Sequence, residues 1–428
     1  MKISIKQITL LAALSATAYT KADVSVSRIV YGQDNRVETY QATELQKLLA
    51  NSTAGMIPSL KAIDIGTHVM LPPATIVKDF GLCADERFAE QPSAVICSGF
   101  LVGPDLLVTA GHCITNQEAC DNMTWVFDYK VNEDTKKTDI LVPKSNVYKC
   151  LTVIDAKLEG GGSNTRDYSL VKLDRVVEGR APLKYRTNGK IKNSENIMVI
   201  GHPSGLPQKV ADKANVYDNT KNTYFLTNLD TFGGNSGSAV FDSKTGVVEG
   251  ILVRGAKDYV GADCGARVNH EAEDITGNPS LGESVSRITD VAGLMDGNKL
   301  LSASKSGDLD QVKLLAEKVK LNYTYDNEKN TALHIAVENG RNDIVEFLIK
   351  QGMNLDTQNL KGETALHIAA YVNNKFAVNK LVANGADILV KDNYGVYASE
   401  RTNFLAFKLR SKLRSVQGLE IQKRRKNQ

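Results

Sequence analysis

The chain lacks a charge of one dominant sign and, past its first residues, any long apolar run. Its 428 residues carry 52 Lys and Arg against 49 Asp and Glu, a balance of +3. A dedicated nucleic-acid binder needs a clear basic excess to replace condensed counterions, so that class is set aside for the chain as a whole. Beyond residue 22 no stretch approaches the roughly 20 apolar residues that cross a bilayer. Cysteine is sparse and one-sided: Cys83, Cys97, Cys113, Cys120, Cys150 and Cys264, with none after residue 264. No Cys-x-x-Cys or His-x-x-x-His spacing is present, so no zinc site and no other metal is expected. No cofactor is expected either. The composition, 42% hydrophobic and 24% charged, is that of an ordinary globular protein and excludes global disorder.

What is present begins with a targeting pattern. Lys2 and Lys6 precede an apolar run at residues 8–14, and Ala16-Thr17-Ala18 or Thr20-Lys21-Ala22 offers a small-residue cleavage site. Residues 1–22 are therefore read as a secretory signal peptide. Export to a secreted or periplasmic location is then expected, and an oxidising compartment suits six cysteines.

The most informative stretch is Gly233-Gly234-Asn235-Ser236-Gly237-Ser238. Glycines on both sides let the backbone turn sharply and let a carbonyl substrate approach the serine. In such a turn the N–H groups of Gly234 and Ser236 can face one oxyanion, and one such donor is worth about 3–4 kcal/mol of barrier. Alone, Gly/Ser clusters mark turns, so the reading needs a base and an acid elsewhere. The base is in Val108-Thr109-Ala110-Gly111-His112-Cys113. This run resembles the histidine segment of trypsin-like (chymotrypsin-fold) serine proteases, including the cysteine after the histidine and its counterpart in Cys97-Ser98-Gly99. The resemblance implies a Cys97–Cys113 disulfide clamping the histidine loop. It also implies that Asp167, heading the alternating run Arg166-Asp167-Tyr168-Ser169-Leu170-Val171-Lys172-Leu173, is the third member of a triad. Asp155 and Asp174 are rivals by chemistry alone. Asp155 has no matching strand after it, and Asp174 stands at the far end of the run. The order His112, Asp167, Ser236 is that of chymotrypsin-type enzymes. The other four cysteines leave three pairings open.

Gly-Asn-Ser-Gly around Ser236 is the pattern of bacterial glutamyl endopeptidases and related bacterial trypsin-like enzymes. Arg28-Ile29-Val30-Tyr31-Gly32 mimics the activation site of trypsin zymogens. Asn235 carries no charge to receive a new terminal ammonium, so that activation is not expected. Residues 23–66 read as a strand and a helix near Thr43 to Leu49, forming a pro-segment or a first barrel strand. Residues 67–294 read as the trypsin-like domain, an all-β double barrel. The substrate pocket implied by the resemblance comprises Asp230, Val253, Arg254 and Gly255. Asp230, six residues before Ser236, favours Lys or Arg substrates; Arg254 on the opposite wall opposes it. The histidine that glutamyl endopeptidases carry near position 252 is absent. His202 is read as structural.

Past residue 294 the texture becomes helical. Thr331-Ala332-Leu333-His334 recurs as Thr364-Ala365-Leu366-His367, a period of about 33 that resembles the ankyrin repeat. Residues 296–400 are read as such repeats, an all-α solenoid, with a first repeat from Asn298 lacking the threonine–histidine box and a degenerate last one near Asn393. His334 and His367 are expected to be structural. Short helical pairs bury little alone, so the array is expected to rest on the barrel or a partner. Residues 401–428 form a basic tail, with eight Lys and Arg against Glu420 from residue 404 onward. It is a capping helix with a solvated charged face, or a contact for an anionic surface. The expected activity is an exported serine endopeptidase acting on protein or peptide substrates, with a protein partner recognised through the repeats. The alternative is an exported ankyrin-type interaction protein whose barrel is inactive or self-cleaving.

Overall fold

Short runs of alternating apolar residues, broken by Gly, Pro, Asn and Asp, become the strands of two barrels. The computed structural model describes residues 30–31, 33–160, 164–255, 257–271, 282–401 and 407–426. The signal-peptide expectation lies outside those residues. The first barrel comprises β1 (Thr53–Pro58), β2 (Cys97–Leu101), β3 (Leu106–Thr109), β4 (Met123–Val126), β5 (Val147–Glu159) and β6 (Arg166–Leu173). These close antiparallel in the order β5-β6-β3-β2-β1-β4, with β4 returning to β5. Closure leaves no unpaired edge. Phe100, Leu107, Trp125 and Leu170 are all buried on its strands. The second barrel comprises β7 (Asn196–Gly201), β8 (Lys209–Asp218), β9 (Tyr224–Thr227), β10 (Ala239–Asp242), β11 (Val248–Arg254) and β12 (Glu283–Arg287). Its order is β7-β10-β11-β12-β9-β8, closed by β7 against β8.

The described part of the 23–66 segment is woven into both barrels. Val37–Glu38 adds to the edge of β8. Helix α1 (Glu44–Ala50) starts at Thr43, whose side chain and that of Gln46 form a reciprocal capping box. β1 then pairs with both β2 and β4, so the barrel reaches back before residue 67. Glu38 also pairs with the buried Lys209 ammonium at 2.9 Å. Burial pulls that lysine's pKa down to about 8 against the opposing pull of Glu38. Three disulfides join Cys97 to Cys113, Cys120 to Cys150 and Cys83 to Cys264. The last two select one of the three open pairings.

The helical part contains α2 (Ala292–Ser306), α3 (Leu309–Ala316), α4 (Ala332–Glu338), α5 (Asn342–Lys350), α6 (Ala365–Tyr371) and α7 (Lys375–Ala383). The threonine–histidine box explains the period physically. Thr331 N–H donates to His334 Nδ1, and His334 Nε2 lies 3.0 Å from the Glu363 carbonyl of the next repeat. Thr364 and His367 repeat this, with Nε2 reaching the Val396 carbonyl at 3.2 Å. Each imidazole thus caps its own helix and pins the following turn. The degenerate last repeat supplies only a short helical turn, Ala398–Glu400, and is covered by α8 (Phe407–Lys426). Leu413 of α8 is buried, Gln417 accepts a hydrogen bond from Ser399, and Arg424 pairs with Asp387 at 3.0 Å. These contacts make α8 a capping helix.

The array rests on the first barrel, and the two share one continuous apolar core. Helix α2 has no box of its own because the barrel caps it. Asp155 of β5 accepts the Gly293 N–H at 2.7 Å, a negative charge at a helix N-terminus. Tyr168 of β6 donates its hydroxyl to the same carboxylate and accepts the Ala292 N–H. A Cβ on Gly293 would lie 2.8 Å from Asp155 Cβ, so only glycine permits this approach. Farther along, Lys329 pairs with the buried Asp105 of the β2–β3 turn at 3.0 Å.

The buried imidazoles make the array acid-sensitive. Burial holds His334 down at about 4 and lowers His367 as well. In the unfolded chain a histidine titrates near about 6.5. A base whose pKa is depressed on folding contributes its full stability above the unfolded value and loses it as pH falls toward the folded one. The slope is at most about 1.4 kcal/mol per pH unit per histidine. Helical melting followed by circular dichroism should therefore shift down as pH drops from about 7 to about 5. The double variant His334→Gln, His367→Gln should flatten that dependence. An equally steep dependence in the double variant would contradict the assignment.

Candidate active site

The pairing of β3 with β6 sets the first half of the site. Its register places Ser169 opposite Thr109 and Leu170 opposite Val108, so Asp167 lies beside the turn that follows β3. That turn carries His112. Asp167 Oδ2 lies 2.9 Å from His112 Nδ1, and Oδ1 accepts the His112 backbone N–H at 3.1 Å. With Nδ1–H given to the carboxylate, Nε2 keeps its lone pair and points away from it. The Asp167 side chain is 4% exposed and that of His112 36%. The acid is therefore sealed from water while the imidazole edge is open. Gly111 allows the close packing behind it, since a Cβ there would stand 2.1 Å from the Lys157 carbonyl oxygen. The rival carboxylates are engaged elsewhere. Asp155 caps α2, and Asp174 accepts the Lys149 N–H and pairs with Arg175 on the exposed side.

The second half is the turn at residues 230–238, between the barrels. Gly233 O accepts the Ser204 N–H at 2.5 Å, Phe232 O that of Asn235, and Asn235 O that of Ser238. A trans peptide directs its N–H opposite to its C=O. The N–H groups of Gly234 and Ser236 are therefore turned away from those acceptors. Among the described residues neither has a hydrogen-bond acceptor. Two adjacent unengaged donors beside a half-buried serine are the arrangement an oxyanion requires. Gly234 has φ +91°, and a Cβ there would lie 2.5 Å from the His202 carbonyl oxygen. Gly237 has φ +88°, and a Cβ there would lie 2.1 Å from the Ser98 carbonyl oxygen. Both positions accept only glycine.

The two halves touch. Cys113 Sγ, one residue past the histidine, lies 3.7 Å from the Ser236 carbonyl oxygen. Ser98, buried on β2, braces the turn: its N–H donates to Ser236 O, its hydroxyl donates to Gly234 O, and it accepts the His202 N–H. Ser98 was not legible in the sequence, where Cys97-Ser98-Gly99 stands out only for its cysteine. Among the described residues the Ser236 hydroxyl has no hydrogen-bond partner, which is common before substrate arrives. His202 is fully buried, bonded to the Leu206 carbonyl, stacked on Tyr129 and held by burial at about 4.

A cavity of about 210 Å³ opens beside Ser236, lined by Thr231, Phe232, Gly233, Leu252, Val253, Arg254, Gly255, Asp258 and Glu283. Val253, Arg254 and Gly255 are among its lining residues, and Asp230 is not. Its carboxylate faces away and accepts the N–H groups of Tyr31 and Asn35 at 2.9 and 3.0 Å. Burial pushes it up to about 6. The N–H groups of Tyr31 and Asn35 have taken this carboxylate, so it is not available to the cavity. Arg254 forms no ion pair with it or with any other carboxylate among the described residues.

Comparison with known proteins agrees with this architecture. Residues 97–251 match the family model for the trypsin-like peptidase domain, and residues 300–392 match that for ankyrin repeats in three copies. The chain is similar to the palmitoyltransferase ZDHHC17 of Homo sapiens, 41% identical over 68 residues, 16% of this chain and 11% of that protein. It is similar to the uncharacterized protein y4fB of Sinorhizobium fredii, 25% identical over 170 residues, 35% of this chain and 24% of that one. The RelA-associated inhibitor of Mus musculus is 36% identical over 89 residues, 21% of this chain and 11% of that one. The chain spans about a tenth to a quarter of the length of these relatives. Barrel closure, the histidine and serine turns and the 33-residue helical period lead to one assignment: the chain carries a trypsin-like peptidase domain followed by ankyrin repeats.

Proposed function

We propose that the chain is a serine endopeptidase of an oxidising compartment, secreted or periplasmic, whose ankyrin array recruits a protein partner. Ser236 Oγ attacks the scissile carbonyl while His112 Nε2 takes its proton and later passes it to the leaving amine. Asp167 holds the imidazole in the tautomer that leaves Nε2 basic and stabilises the imidazolium that forms. The Gly234 and Ser236 N–H groups receive the oxyanion. The observation that carries the reading is the pair of hydrogen bonds between Asp167 and His112, at 2.9 and 3.1 Å, with the serine turn in contact with the next residue. Three disulfides support the oxidising location. Exposed Lys423, Arg424 and Arg425 on α8 are the groups that would meet an anionic surface.

A fluorophosphonate probe tests this reading on the full-length protein. It should attach to Ser236, as located by peptide mapping, and His112→Ala should suppress the reaction. Absence of labelling, or labelling of a different serine, would remove the serine-hydrolase assignment.

A further inference from the structure

The Gly234 N–H, one of the two unengaged donors beside Ser236, belongs to a peptide between two glycines. Neither Gly233 nor Gly234 has a Cβ to resist rotation, so that peptide has two accessible orientations. Only one of them offers its N–H to the serine side. Ser204 selects it: its N–H donates to Gly233 O at 2.5 Å, which turns the Gly234 N–H the opposite way. Ser204 does this from the left-handed region, at φ +53° and ψ +26°, where a residue with a Cβ is uncommon. Two hydrogen bonds keep it there. Ser93 Oγ donates to Ser204 O at 2.8 Å, and Ser204 Oγ is bonded to Tyr259 Oη. The other end of Gly233 is also held, because Asp258 Oδ2 accepts its N–H at 2.7 Å. The Tyr259 ring lies against Phe232, with centroids 5.8 Å apart.

Asp258 and Tyr259 open a short hairpin in which Tyr259–Ala262 pairs antiparallel with Gly265–Val268. The hairpin is itself anchored from outside the site. Cys264, at its turn, is bonded to Cys83. Cys83 N–H donates to Ala266 O and Ala266 N–H to Gly81 O, both at 2.9 Å. Arg267 pairs with Asp85 and Glu86 at 2.9 and 3.1 Å. Resting on the proposed peptidase activity, we infer that this hairpin is a positioning element of the oxyanion hole. Tyr259 acts through Ser204 and Asp258 acts directly on Gly233, and together they fix the orientation of the Gly233–Gly234 peptide. Both are positioning residues, since each acts through the glycine turn. A donor already aimed at the developing charge needs no reorientation during the reaction, which is where such a hole gains its effect.

Two measurements on the full-length protein test the inference. The first follows the rate at which a fluorophosphonate labels Ser236. In that reaction the Oγ–P bond forms, fluoride leaves, the proton passes to His112, and the phosphonyl oxygen gains negative charge where an oxyanion would sit. Loss of one oxyanion donor costs about 10²–10³, so the maximal labelling rate of the double variant Asp258→Ala, Tyr259→Phe should fall at least about 30-fold. The half-saturating probe concentration should stay within about threefold, because the peptide acts on the transition state. The midpoint of the pH profile should not move, whereas a general loosening of the site would shift it. Asp258→Asn, which keeps an oxygen acceptor for the Gly233 N–H, should label within about threefold of the wild-type rate. The second measurement needs no activity: a crystal structure of the double variant should show the Gly233–Gly234 peptide turned over in part or all of the molecules. Labelling of the double variant at the wild-type rate, a moved pH midpoint, or a peptide left in its single original orientation would overturn the inference. Failure of the probe to label Ser236 in the wild type would instead strike the peptidase reading, and the crystallographic comparison would still decide whether the hairpin orients the peptide.

Discussion

Replacing Ser236 with alanine should lower peptide hydrolysis by about 10⁶ while leaving the fold intact. Removing the nucleophile of such a machine costs nearly as much as removing all its members, because they act as a unit. The site that remains can still bind substrate and offer the backbone N–H donors of positions 234 and 236, so a rate of about 10³–10⁴ over water should persist. Stability should change by no more than about 0.5 kcal/mol. The physical reason is local: Ser236 is half-buried at the cavity rim, and its hydroxyl has no hydrogen-bond partner among the described residues. Steady-state kinetics with a chromogenic peptide, beside thermal melting, would check both parts. Undiminished turnover by Ser236→Ala would place the chemistry elsewhere.

The next largest effect is expected from Asp167→Asn, a drop in kcat of about 10⁴. The asparagine amide can occupy the same space, but it would present an N–H to Nδ1 and drive the imidazole toward the tautomer whose Nε2 is protonated. A base in that form cannot accept the serine proton. Asp155 is the control, because by chemistry alone it competes for the same role. Asp155→Ala should leave kcat within a few-fold yet destabilise the protein by about 1–3 kcal/mol, since Tyr168 Oη–H and Gly293 N–H lose their acceptor. The opposite pattern, a mild Asp167 effect and a severe Asp155 effect, would reassign the acid.

That Asp155 caps α2 changes the relation between the two parts of the chain. The array and the first barrel share a core, and Lys329 and Asn298 reach across to Asp105 and Tyr185. A cut near Asn298 would fall inside α2 and expose apolar surface on both sides of it. The repeats are therefore part of the folded unit of the first barrel.

Some of this was legible in the chain itself. The 33-residue recurrence of Thr-Ala-Leu-His specifies stacked helix pairs because its groups interact within one repeat or with the next, which is a nearest-neighbour matter. Glycines around Ser236 and at Gly111 announce tight turns and close approach for the same local reason, the missing Cβ. The alternating short runs imply strands, and the histidine and serine segments direct attention to the turns that carry His112 and Ser236. What only the tertiary structure decided is which distant groups meet. The partners of Cys83 and Cys120 depend on how the loops fold over the barrels. Asp230 and Glu283 are both acidic and both near the cavity wall. One is taken by the N–H groups of Tyr31 and Asn35, and the other lies beside Gly255 on the cavity wall. Asp155 and Asp167 head toward opposite duties because the β3–β6 register sets one beside His112 while β5 carries the other to the end of α2. Electrostatics and hydrogen bonding depend on distance in space, and strand register and barrel closure, not chain order, set those distances.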